Sequence, residues 1–240
     1  MIKVFQKRWY DIEFKEFYQL THKKIATTEF YRCFYNVFYK TYTSWEHLPA
    51  PYLSTRRQVA HHLAKIITDK KTHTVLTLGC GNGIVEKELL VKIPNLTIFT
   101  YEPDETNLGW LKNLPAVKLS FGKFPDCLPL HQRYDLVYLC DVDPVFSDAD
   151  YILFLRQIKN LTLAPIILTH VLKPLPTVFS HLKYWTKYIL AKLNLYNLGQ
   201  LLGYSRYFRE HQEIFKQAGY AVVQKGSLSK ELMWIEIVPI

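Results

Sequence analysis

Apolar residues recur along this chain with two periods, and the period changes near residue 75. Before it, Phe30-Tyr31, Phe34-Tyr35, Phe38-Tyr39 and Tyr42 place an aromatic pair on each successive turn. At about 3.6 residues per turn, Phe30, Phe34, Val37 and Phe38 share one face, which predicts an amphipathic helix. Pro49-Ala50-Pro51 interrupts the pattern, and a second helix is expected from an N-cap at Ser54, burying Val59, Leu63, Ile66 and Ile67. After it, short apolar and β-branched runs at 75–78, 96–101, 117–122, 134–141 and 166–169 read as strands. Helical patterns at 84–90 and from Asp148 to about Asn160 lie between them, the latter capped by Ser147 with Ile152, Leu155 and Ile158 inward. A last helix ends at Gly219, and 220–224 pairs with 232–238 as a hairpin. Strand alternating with helix predicts an α/β, doubly wound, mainly parallel sheet with helices on both faces and an N-terminal helical cap.

The first strand run feeds Gly79-Cys80-Gly81-Asn82-Gly83, and the second ends in Glu102-Pro103-Asp104. A strand, a glycine-rich turn opening a helix, and a carboxylate about 20 residues on make a recipe for holding an adenosine. The glycines let backbone approach the ligand, and the acid accepts hydrogen bonds from ribose hydroxyls. A dinucleotide fingerprint would place the third glycine at position 84, where this chain has Ile84; here it is Gly83. Over roughly residues 55–240 the chain therefore resembles the class I S-adenosylmethionine-dependent methyltransferases. The third strand run followed by Leu128-Pro129, and Tyr134 to Asp141 as a fourth strand, extend the likeness.

The resemblance implies a seven-stranded Rossmann-like sheet and S-adenosyl-L-methionine as cofactor. It implies cofactor contacts from Gly79, Cys80, Gly81, Gly83, Glu102, Pro103, Lys123, Phe124 and Cys140. Two positions depart from the family pattern. Thr77 stands where the family has an acid that orients the methionine end, and Gly122-Lys123 replaces the usual Gly-Asp near the adenine. Lysine cannot accept that hydrogen bond; Asp126, at a different offset, is one replacement, and the Phe124 N–H and ring are another way to hold the adenine.

Ligands of open α/β sheets bind beyond the carboxyl ends of the strands. The side chains there able to take a proton are Asp141, Asp143 and His170, and an unperturbed histidine near pKa 6.5 suits a general base. Structural roles compete for each: a core histidine, or carboxylates that cap the helix after Ser147. Asp143-Pro144-Val145-Phe146 is only a distant echo of the signature of amino-methylating nucleic-acid enzymes. Substrate contacts are expected from Tyr35 and Tyr39 in the N-terminal cap (1–54). Tyr184 and Trp185, in an insertion at about 172–203 within the domain 55–240, are expected to complete them as a lid. The alternative is that these aromatics only fill core volume.

Composition narrows the classes. With 49% hydrophobic residues in 240, a sizeable core is expected and disorder is excluded. No run reaches the ~20 apolar residues of a membrane span. The first residues lack the apolar region of a secretory signal, and four cysteines without a C-x-x-C pair read as free thiols in a cytoplasmic protein. The adjacent His61 and His62 cannot share a helix face, so no metal is expected. A net charge of +9 admits an RNA partner or an acidic small substrate. The lysines are scattered, so a small, acidic or partly apolar molecule is preferred. The basic, aromatic stretch 173–192 reads as a substrate lid before a membrane-surface helix. The expected activity is methyl transfer to O, N or S of a small metabolite in specialised biosynthesis. An RNA or tRNA methyltransferase, and a methyltransferase-like binding protein without catalysis, are the alternatives.

Overall fold

The computed structural model describes residues 1–15, 25–103, 105, 109–122, 124, 133–161, 167–174 and 178–240. In chain order the elements are β1 (Ile2–Gln6), β2 (Arg8–Trp9), β3 (Ile12–Glu13), α1 (Thr28–Thr41), α2 (Ala50–Asp69), β4 (Thr74–Leu78) and α3 (Ile84–Lys92). There follow β5 (Thr97–Glu102), β6 (Val117–Phe121), β7 (Leu136–Cys140), α4 (Asp148–Leu161), β8 (Ile167–Leu172) and α5 (Val178–Lys192). The chain closes with β9 (Gln200–Ser205), α6 (Phe208–Gln217), β10 (Tyr220–Ser227) and β11 (Leu232–Pro239).

The central sheet has seven strands in the order β10-β11-β8-β7-β4-β5-β6. The five from β6 to β8 run parallel, and the terminal hairpin adds β11 and β10 antiparallel. Because strand side chains alternate, each parallel strand feeds two cores. Val75, Leu136, Tyr138 and Leu168 join the core beneath α1, α2 and α3. Leu76, Leu78, Val137, Leu139 and Ile167 join the opposite core with α4 and α6. The same alternation puts Thr77, Cys140 and His170 on the α1–α3 side. The order reverses at β4, so the loops after β4 and β7 open the crevice there.

Ser147 caps α4 as expected, its hydroxyl accepting the Asp150 N–H. Two expectations change. α2 starts at Ala50 rather than after an N-cap at Ser54. Pro51 sits in its first turn, where a missing N–H costs no intrahelical bond. The N-terminal segment is also not wholly helical: β1 pairs antiparallel with β9, uniting the chain start with the end of the 172–203 stretch.

Candidate functional site

β4 ends in a turn whose glycines all have positive φ, and Gly79 N–H donates to the Tyr101 carbonyl of β5 at 3.0 Å. Gly83 begins α3 in the left-handed region, and a Cβ there would lie 2.2 Å from Leu111 Cδ2. A Cβ on Gly81 would lie 2.7 Å from the Tyr35 hydroxyl of α1, so this glycine permits the close approach of helix and loop. Asn82 completes the turn. Its Oδ1 accepts the Ile84 N–H at 3.2 Å, its Nδ2 donates to the Tyr52 hydroxyl, and its carbonyl accepts the Trp45 indole N–H.

Two carboxylates flank this turn. Glu102, at the end of β5, is buried, and its Oε1 accepts the Gly81 N–H at 2.5 Å. Glu86, in the first turn of α3, is buried beside Thr77, whose hydroxyl donates to Glu86 Oε1 at 3.0 Å. Burial pushes the Glu86 carboxyl up to about 7. Its Oε2 has no hydrogen-bond partner among the described residues. Thr77, where the family pattern has an acid, thus anchors a buried acid nine residues on.

Both carboxylates and the glycine turn line a cavity of about 640 Å³. Its opposite wall is aromatic: Phe30, Phe34, Tyr35 and Phe38 from α1, with Trp9 and Tyr52. Tyr35 stacks on Tyr39, which stands behind it against Gly109. Burial and the nearby Glu102 hold the Tyr35 phenol protonated, well above its ordinary range. At the carboxyl end of β7, Asp141 has a left-handed φ of 53° and pairs with Arg56 of α2 at 2.7 Å. Arg56 also donates to Cys140 Sγ, a thiol that burial raises to about 12 and so keeps neutral. Asp141 Oδ1 is buried and has no partner among the described residues.

The structure separates residues that the sequence placed together. Gly79, Cys80, Gly81, Glu102, Pro103, Cys140, Asp141 and Tyr35 line the cavity. Gly83 lies behind the turn, packed on Leu111. Lys123, like Asp126, lies outside the described residues. Phe124 turns to the other core, against Tyr101 and Phe154, with its N–H on the Tyr101 hydroxyl. His170 is 0% exposed in the interior of the sheet, with its Nε2 3.2 Å from His62 Nδ1. Burial, His62 and Arg56 lower its pKa well below the usual value, and it does not line the cavity.

Asp143 is likewise withdrawn. It is buried near Arg206, which donates to the Asp143 and Phe146 carbonyls and to Asp148, tying the turn after β7 to the end of β9. Tyr184 and Trp185 of α5 do not line the cavity; among described residues of 172–203, Leu202 does. Arg56 and Glu86 also line the cavity, and the sequence had not singled them out. Arg56 carried a signal: with Tyr52, Ala60, Leu63 and Ile67 it occupies the inward face of α2, a charge at an apolar-periodic position.

No protein-family model matches the sequence, and no curated protein matches it significantly. Solved structures do. The mitomycin 7-O-methyltransferase MmcR aligns at TM-score 0.59 and 18% identity, over 78% of this chain and 54% of that one. RosA, the N,N-8-amino-8-demethyl-D-riboflavin dimethyltransferase of Streptomyces davawensis, aligns at 0.56 and 19%, over 76% and 55%. The magnesium protoporphyrin IX methyltransferase ChlM of Synechocystis, solved with bound SAH, aligns at 0.56 and 14%, over 77% and 83%. The chain has the class I methyltransferase fold, and it spans about half the length of the first two of these proteins.

Proposed function

We propose that this chain is an S-adenosylmethionine-dependent methyltransferase acting on an O, N or S atom of a small, partly apolar metabolite. The observation that carries the reading is the Glu102–glycine-turn contact at the switch point, inside a cavity whose far wall is aromatic. The residues fit the cofactor. Glu102 would take the ribose hydroxyls, and Glu86 Oε2, which has no partner among the described residues, is an acceptor in want of a cation such as the amine of a methionine moiety. When bound, the cofactor supplies a methyl group already activated on a sulfonium, which leaves alignment, exclusion of water and proton handling to the protein.

The aromatic wall from α1 excludes water and presents flat surfaces to an acceptor. Asp141 is the candidate proton acceptor: it lines the cavity, one oxygen is held by Arg56, and the other has no partner among the described residues. Arg56 keeps that carboxylate oriented and favours an acceptor with an acidic edge. The proteins named above act on small molecules in their own names, which supports this substrate class over RNA. Free Cys33, Cys80 and Cys140 accord with a reducing compartment.

Calorimetry with S-adenosylhomocysteine and with NAD tests the reading. Binding of the former alone is expected; binding of NAD instead overturns it. Salt-dependent retention on RNA would favour a nucleic-acid substrate. Cofactor binding without turnover on any acceptor would favour a binding protein.

A further inference from the structure

α5 carries a face that nothing in the described structure covers. Val178 is 86% exposed, Phe179 73% and Leu182 64%, and Trp185, Ile189 and Leu193 are also exposed. At about 100° per residue these six side chains fall within one arc of about 120°. Lys183 and Lys187 continue the circumference beyond Phe179, and Lys192 borders the arc beside Trp185. The remaining side of the helix is occupied by the protein: Ala191 is buried, the Tyr188 ring is 6.5 Å from Phe5 of β1, and His181 hydrogen-bonds Tyr207. Between Asp150 and Glu210 the sequence contains no acidic residue.

We propose that α5 docks the protein in the plane of an anionic lipid surface, with its apolar arc in the acyl boundary and its lysines on the headgroups. An apolar face bordered on both sides by cations matches a bilayer interface, where apolar chains lie just below a layer of negative charge. The charge pattern disfavours a second copy as occupant. Two such faces would bring lysines against lysines, with no carboxylate on the helix to pair them. The geometry disfavours a substrate lid, because α5 contributes no described residue to the cavity wall. No described helix is long and apolar enough to cross a membrane, so the helix lies on the surface. The inference is independent of what fills the cavity.

The test is co-sedimentation of the full chain with vesicles of phosphatidylcholine alone and of phosphatidylcholine with phosphatidylglycerol. Binding to the anionic vesicles is expected. Leu182→Ser/Ile189→Ser should weaken it by about tenfold or more, given the apolar area removed. Lys183→Glu/Lys187→Glu should weaken it by a similar factor, given about 1 kcal/mol per cation near such a surface. All four positions lie on the outward or flanking surface, and thermal melts check that the variants fold. A second readout needs no disruptive variant: acyl-brominated lipid should quench fluorescence in the wild type more than in Trp185→Phe. Absence of binding to anionic vesicles, binding unaffected by the serine pair, or equal quenching overturns the proposal. Self-association abolished by the serine pair, without vesicle binding, assigns the face to a second copy and also overturns it.

Discussion

At the scale of single residues, two buried carboxylates with different surroundings divide the cavity. Glu102 already accepts a backbone N–H, and its place at the end of β5 suits ribose hydroxyls. Glu102→Ala should weaken S-adenosylhomocysteine binding by ~1.5–3 kcal/mol, the range for hydrogen bonds to a charged group, as calorimetry would measure. Glu86 has a raised pKa of about 7, because burial penalises its charged form. A cationic amine binds the ionised carboxylate, so below that pH the protein must lose a proton to bind. Affinity should therefore rise with pH through the range 6 to 8, steeply (about tenfold per unit) below 7 and level above it. Glu86→Gln should flatten that profile and lower the affinity at pH 8. A profile unchanged in the variant would remove Glu86 from the site.

At the scale of elements, α1 serves core and cavity from adjoining faces. Phe38 is 1% exposed and touches Trp9, Tyr39, Tyr42 and Trp110. Phe38→Ala should lower stability by about 3–5 kcal/mol in urea unfolding, the cost of emptying a buried aromatic site. Phe34 lines the cavity and is only half-buried. Phe34→Ala is expected to raise the Michaelis constant for the methyl acceptor while cofactor affinity stays within about threefold, because its ring packs on Trp9 and Phe14 rather than on the glycine turn. The helical period of α1 was readable in the sequence, and so was its aromatic stripe. Which rings face solvent, core or cavity was not, since that depends on β2, β3 and the 109–114 stretch packing around it.

At the scale of the whole molecule, Arg206 joins distant parts of the chain. It is fully buried, and its guanidinium serves two carbonyls and two carboxylates of the segment 143–148. Arg206→Met leaves the Asp143 and Phe146 carbonyls without their donor, and a loss of about 1–3 kcal/mol for each group left unsatisfied is expected in unfolding stability.

The sequence by itself determined the sheet, the glycine turn and the position of Glu102. These rest on local signals: strand alternation, the glycines of a tight turn and a carboxylate at a strand end. The tertiary structure decided which carboxylates serve the cavity. Asp141 and Asp143 are two residues apart, yet one meets Arg56 at the cavity and the other meets Arg206 in the interior. Glu86 enters only because α3 folds it against Thr77. His170 stands at a strand's carboxyl end, as a base should, but the register of β8 beside β7 and β11 turns it under α2 against His62. Tyr184 and Trp185 have the composition of a pocket wall, yet α5 packs on β1 and faces outward. Periodicity specifies a face within one element. What covers that face is set by partners tens of residues away, whose approach no local pattern encodes.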